Sequence, residues 1–210
     1  MTPEEYSKFM EGKKVVLVGP ASYMDYMGDN WGENVDSFDV VVKVNANPMG
    51  GSFGSRTDVL YFGCGSVDEL VKQSKEKNPD LKLVRVWDHW QSINHCDLNI
   101  SSFRGEVCSR IKSRPNTGFI TILHLLSLPI ETLLVTGMDF HRSGYAKDYL
   151  MKNHETLKSV KEYFEDDPNG HRPDEQYQYF KNIKDERLCV DHKLKEIMED
   201  ESLDNFWETL

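Results

Sequence analysis

The chain has 210 residues, 39% hydrophobic and 29% charged, enough apolar material for one domain with a single sizeable core. Twenty-five Lys and Arg stand against 35 Asp and Glu, a formal charge of −10 with no basic run, which excludes nucleic-acid binding by general attraction. Any anionic ligand must be met by a few placed cations and backbone N–H groups.

Cys64, Cys96, Cys108 and Cys189 contain no C-x-x-C pair, so neither a zinc ribbon nor a disulfide framework is expected. The stretch Met1 to Lys14 is polar and acidic, and the first apolar run is only Val15 to Val18. No signal peptide or membrane span is expected from this pattern, and a cytoplasmic location follows.

Val15 to Val18 reads as a buried parallel strand that ends at Gly19-Pro20. Asp39 to Val44, Asp58 to Phe62 and Leu81 to Val86 read as three more strands. Between the last two, Ser66 to Lys77 is a helix candidate with Ser66 as cap and Glu69 three residues on. The segment Ser113 to Gly118 precedes an apolar run, Phe119 to Leu128, so Asn116, Thr117 and Gly118 belong at the N-terminus of a buried helix, with Pro115 at an early helix position. Glu131 to Thr136 is a further strand ending at Gly137. The alternation implies an α/β domain: a single Rossmann-like unit over 1–210 with a mainly parallel sheet flanked by helices.

From Met138 to Gly170 the pattern loosens around a helical stretch, Ala146 to Phe164, and an acidic cluster. Residues 141–170 read as an active-site lid. Pro173 to Lys184 resumes as a helix, Leu188 to Val190 adds an edge strand, Lys193 to Met198 forms a last helix, and 200–210 is expected to fray.

In an open parallel sheet, ligands bind beyond the carboxyl ends of the strands. Four polar clusters fall there: Gly19-Pro20-Ala21-Ser22, Asn45 to Pro48, Asn116-Thr117-Gly118, and Met138 to His141. The first could cradle a nucleotide or be an ordinary turn, and it lacks the dinucleotide fingerprint because Ala21 and Met24 stand where glycines are needed. Asn45 offers an amide that reads a base or ribose edge, while Asn47 fits a turn before Pro48. Thr117 and Gly118 offer a hydroxyl and N–H groups at a positive helix end, suited to a phosphate or carboxylate. His171, opening the helix after the lid, is a candidate general base or a simple cap. His124, inside the apolar helix, reads as a satisfied core residue. Asp166-Asp167 is better read as a solvated loop than as a metal site, and Tyr177, Tyr179 and Phe180 as core or acceptor-wall residues.

The order of these motifs resembles sialyltransferases, of both the animal and the smaller bacterial type. Lys14 to Gly19, Val35 to Asn45 and Gly54 to Asp58 look like the family's large motif. Arg114 to Phe119 with Thr136 to Phe140 looks like the small motif, and Gly170-His171 followed by Glu175 like the very small one. The chain departs from the pattern at Pro20, in the His171-to-Glu175 spacing, and in lacking the bridging cysteines near Val15.

The resemblance implies a variant GT-A fold and inverting, metal-independent transfer of sialic acid from a CMP-linked donor to a glycan hydroxyl. By position, Gly19, Ala21 and Ser22 would flank the donor, and Asn45 would face the cytidine. Asn116, Thr117 and Gly118 would meet the carboxylate or phosphate, His141 and Tyr145 the phosphate, and His171 would be the base. A related CMP-activated sugar such as Kdo, a non-catalytic nucleotide- or glycan-binding module, and a nicotinamide oxidoreductase stand as alternatives.

Overall fold

The computed structural model describes residues 1–45, 49–63, 68–87, 96–111, 114–149, 171–204 and 206. Seven strands form one sheet: β1 (Lys14–Val18), β2 (Val40–Val44), β3 (Val59–Phe62), β4 (Lys82–Arg85), β5 (Leu98–Asn99), β6 (Thr132–Thr136) and β7 (Leu188–Val190). Their spatial order is β5-β4-β3-β2-β1-β6-β7, and every neighbouring pair is parallel. The chain therefore winds outward from β1 to β5, then returns to the other side of β1. That reversal makes β1/β6 the topological switch point, where open α/β sheets hold their ligands.

The strands form where β-branched residues run together. Val15 to Val18 and Val40 to Val44 are buried throughout, as a parallel sheet covered on both faces requires. Val16 pairs with Val41 on one side and Leu134 on the other, which fixes the register at the centre.

Helices cover both faces: α1 (Pro3–Met10), α2 (Asp29–Asp36), α3 (Asp68–Lys77), α4 (Ser101–Ile111), α5 (Thr117–Leu126), α6 (Pro173–Lys181) and α7 (His192–Glu199). Val71 of α3 packs with Leu60, Phe62 and Leu83, while the alternate residues Val59, Tyr61 and Val84 join the cluster that contains α5. No helix among the described residues is long and apolar enough to cross a membrane.

The large-motif-like segments brace the middle of this sheet. The Asp36 carboxylate accepts from the backbone N–H groups of Ser55 and Arg56, at 2.8 and 3.2 Å. Asp58 accepts from Val41 N at 2.7 Å, which ties the start of β3 to β2.

Helices α1, α2 and α4 have no counterpart among the elements expected from the sequence. The first begins with a reciprocal cap: Thr2 Oγ1 accepts from Glu5 N at 3.2 Å, and Glu5 Oε2 accepts from Thr2 N at 2.8 Å. The second depends on tertiary contact, since a Cβ on Gly32 would lie 1.9 Å from the Gly51 carbonyl oxygen. The expected helix from Ala146 is not helical over 146–149, which form a turn, and 150–170, with Asp166-Asp167, lies outside the described residues. Asn47 and Ser66 lie outside them too. The tail is held as far as Asp204, which accepts from Lys181 Nζ at 2.6 Å.

His124 lies in the core as expected. Its Nδ1 hydrogen-bonds to the Tyr61 hydroxyl at 2.8 Å, and that hydroxyl reaches the Tyr6 hydroxyl at 3.0 Å. Burial pushes the His124 imidazole down to about 4, so it stays neutral at physiological pH.

Candidate functional site at the switch point

Beyond the carboxyl ends of β1, β2 and β6 lies a cavity walled by Ala21, Asn45, Asn116, Thr117, Gly118, His141 and Tyr145 among others. Seven of the residues singled out in the sequence therefore meet at one place. Gly19, Ser22 and His171 do not line it, and each does something else beside it.

Gly19 serves the backbone. A Cβ there would lie 2.2 Å from the Gly137 carbonyl oxygen, and a Cβ on Gly137 would lie 2.2 Å from the Gly19 carbonyl oxygen. The turns after β1 and β6 therefore cross in direct contact, locked by Gly19 N donating to Thr136 O at 2.7 Å and Ala21 N to Gly137 O at 2.9 Å. Ser22 anchors the next turn: its N–H donates to Gly144 O at 3.0 Å and its hydroxyl to Ser143 O.

The turn from Gly137 to Gly144 is held in a strained shape. Phe140 and His141 both adopt left-handed dihedrals, φ 55° and 68°, which side chains with a Cβ rarely occupy. The buried Asp139 carboxylate secures the turn by accepting from Ser143 N at 2.7 Å, and burial raises its pKa. The cation of Arg142 lies beneath: it donates to Asp174 Oδ1 at 2.8 Å and to Leu203 O at 3.1 Å, and stacks 3.5 Å from the Tyr177 ring centroid. This arrangement aims His141 and Tyr145 at the cavity, their rings 5.2 Å apart edge-on.

The Gly137 end is fixed from below. Its N–H donates to the Tyr23 hydroxyl at 2.6 Å, which donates to Asp191 Oδ2 at 2.7 Å. Burial, then the charge of Asp191, raises the Tyr23 phenol well above its ordinary range, so it stays a donor.

Opposite stands the start of α5. Asn116 caps it, its Oδ1 accepting from Phe119 N at 2.7 Å, and Pro115 stands one position before the cap instead of inside the helix. The helix presents Thr117 and Gly118 to the cavity with its positive end forward. Gly118 admits the neighbouring turn: a Cβ there would lie 1.9 Å from Met138 Cε. Asn45, with φ 50°, completes the wall at the end of β2, and its Oδ1 accepts from Gly63 N at 3.2 Å.

His171 sits at the margin, two residues before α6. Its Nδ1 lies 2.6 Å from the Arg114 carbonyl oxygen. A carbonyl can only accept, so Nδ1 carries the proton and Nε2 is the basic nitrogen of the neutral ring. The residue that sequence reasoning missed is Gln176, which is fully buried. Its Oε1 accepts from Asn116 N at 3.0 Å and its Nε2 donates to Arg114 O at 3.4 Å. One amide thus links the helix that follows His171 to the capping residue of α5. No charge or motif marked it; its position five residues after His171, on the buried face with Tyr177 and Phe180, was the available signal. Tyr177 and Phe180 are core residues, whereas Tyr179 is exposed. Among the described residues no group of three or more His, Cys, Asp or Glu is gathered as a metal site would need.

No protein-family model matches the chain, and no curated protein sequence matches it. Solved structures do. The sialyltransferase CstII from Campylobacter jejuni, with the substrate analogue CMP-3FNeuAc, is 14% identical over 85% of this chain and 81% of that one, TM-score 0.52. The same enzyme with a trisaccharide acceptor and CMP gives 14% identity, 85% and 80% coverage and 0.51. A mammalian sialyltransferase in complex with Gal-beta-1-3GalNAc-ortho-nitrophenol gives 13% identity, 91% and 73% coverage and 0.56. At these identities the likeness shows the fold: this chain is a single parallel-sheet domain of the GT-A-like type found in sialyltransferases.

Proposed function

We propose that this protein is an inverting glycosyltransferase that moves sialic acid, or a related keto-acid sugar, from a CMP-linked donor to a glycan hydroxyl without a metal. The observation that carries the reading is the pairing of a switch-point cavity, to which Asn45, Asn116, Thr117 and His141 contribute polar groups, with an adjacent histidine whose Nδ1 is committed to a carbonyl. The sialyltransferase-type fold supports the same class of reaction.

In this reading Asn45 faces the cytidine. Thr117 and Gly118, at the N-terminus of α5, receive the donor carboxylate or phosphate, with His141 and Tyr145 on its other side. The acceptor oxygen attacks the anomeric carbon while Nε2 of His171 takes its proton. The bond from the anomeric carbon to the phosphate oxygen breaks, and CMP leaves with the electron pair. The helix end and placed donors stabilise the charge that develops on the departing phosphate, work otherwise given to a cation.

The test is CMP release from CMP-sialic acid and CMP-Kdo in EDTA, with and without a panel of sugar acceptors. Release that resists EDTA and is stimulated by an acceptor is expected. CMP binding without release, or release that EDTA abolishes, would overturn the reading.

A further inference from the structure

Lys43 is the only charged residue in the valine run of β2, and it is 1% exposed. It pairs in register with Leu60 of β3, so the two share the sheet face that carries α3. Among the described residues, the connection from β2 to β3 places one short turn, Gly51–Phe53, where a helix would otherwise cover that face. A cavity of about 770 Å³ is left, within the usual range for small-molecule sites, with Lys43, Asn45, Met49 and Leu60 among its walls.

Lys43 Nζ donates to the Gly54 carbonyl at 3.3 Å and to the Met49 sulfur, a weak acceptor, at 3.0 Å. Met49 also accepts from Thr57 Oγ1 at 3.3 Å and is 57% exposed, so a flexible side chain open to solvent rests on the amine. Burial pulls the Lys43 pKa down to about 8, against the opposing effect of the Asp36 carboxylate from α2. At neutral pH the nucleophilic amine is then on the order of a hundredfold more abundant than in an ordinary lysine of pKa 10.5.

The charges around the cavity select the electrophile. Its walls include Asp39, Asp58 and Asp80, and Arg56, Lys77 and Lys82. Asp39 accepts from Lys14 N at 2.9 Å, while Asp58 accepts from Val41 N at 2.7 Å and pairs with Arg56 Nε at 3.1 Å. Lys77 and Lys82 therefore outweigh Asp80 and favour an anionic group. Asp36 selects the product: a carbamate formed with CO2 would set a negative charge near that carboxylate, whereas a protonated imine keeps the positive one.

We infer that Lys43 captures an aldehyde that carries a phosphate or a carboxylate, forming an imine within this cavity. The amine nitrogen adds to the aldehyde carbon, and the carbonyl oxygen becomes the hydroxyl of a carbinolamine. That oxygen leaves as water with the two amine hydrogens, so nothing is oxidised or reduced. Asn45 walls this cavity and the switch-point cavity alike, so the adduct forms beside the wall proposed for cytidine. The capture itself does not depend on the transferase reading.

The experiment incubates the protein with glyceraldehyde 3-phosphate, glyoxylate or uncharged glyceraldehyde, traps imines with cyanoborohydride over about pH 6–10, and maps the labelled lysines by peptide mass spectrometry. Lys43 is expected to be labelled first, at a rate that levels off above a midpoint near pH 8. One of the anionic aldehydes is expected to react about tenfold faster than glyceraldehyde, and the faster one tells phosphate from carboxylate. Met49→Ala uncovers the amine and should raise the Lys43 rate severalfold. Lys43→Arg keeps the buried charge and should lose the early label. Labelling confined to other lysines, a Lys43 rate that keeps climbing to the top of the pH range, equal rates for charged and uncharged aldehydes, or a rate unmoved in Met49→Ala would each overturn the inference.

Discussion

The two ends of α5 each involve a histidine, and their surroundings give the two rings opposite tasks. His124, in the last turn, is buried against Tyr6, Tyr61 and Phe103 and hydrogen-bonds to a phenol. His171, beside the first turn, is tied through Nδ1 to a backbone carbonyl at the margin of the switch-point cavity. At the core end, burial removes the charged form and the ring becomes a packing piece. At the rim end, the carbonyl selects the tautomer and leaves basicity on the nitrogen away from the scaffold. What differs is the partner of Nδ1 and the depth, not the residue type.

The sharpest contrast comes from replacing each ring. His171→Ala should lower the turnover rate by about 10²- to 10⁴-fold and leave the urea midpoint nearly in place. His124→Ala should do the reverse, costing roughly 2–3 kcal/mol of stability through the lost packing and the stranded Tyr61 hydroxyl, with turnover kept. Equal effects on both quantities in both variants would break the comparison.

Next in size is the support under the rim. Arg142→Met leaves Asp139 and Asp174 without their buried cation and should cost about 3 kcal/mol or more, measured by urea unfolding. Changing one helix further, Gln176→Leu should cost roughly 1–3 kcal/mol by leaving the Asn116 N–H without its acceptor. It should also lower turnover, because it loosens the link between the helix after His171 and α5.

The pH dependence separates the ends in another way. His124 has its pKa lowered from 6.5 to about 4 in the folded chain, so the unfolded chain binds the proton first. The contribution is complete above about pH 6.5 and lost as pH falls toward 4. The loss across that range is on the order of 3 kcal/mol. His124→Phe should flatten this part of the stability profile. The smallest effect is at the cap: Asn116→Ala should cost about 1 kcal/mol in thermal or urea unfolding.

Much of the sheet was legible because its strands are continuous β-branched runs, which a parallel sheet covered on both faces demands. Val15 to Val18 and Val40 to Val44 announce themselves; the two-residue β5 cannot. The start of α5 was legible for a local reason, an Asn cap ahead of a long apolar run. Helix α2 was not, since its sequence contains Gly32 and its stability comes from the Gly51 turn pressed against it. At the site, the cavity wall followed from the rule that ligands gather at strand ends. Gly19 stands beside the cavity without lining it, and its work is to let two turns cross. Gln176 escaped because a neutral amide does not announce chemistry until three-dimensional neighbours give it some.

The most direct test of the central claim is single-turnover transfer from CMP-sialic acid by wild type and His171→Ala, with CMP binding measured on the same samples. The account expects CMP affinity to stay within about threefold while transfer falls at least about a hundredfold. Transfer retained in His171→Ala, or lost only together with CMP binding, would contradict it.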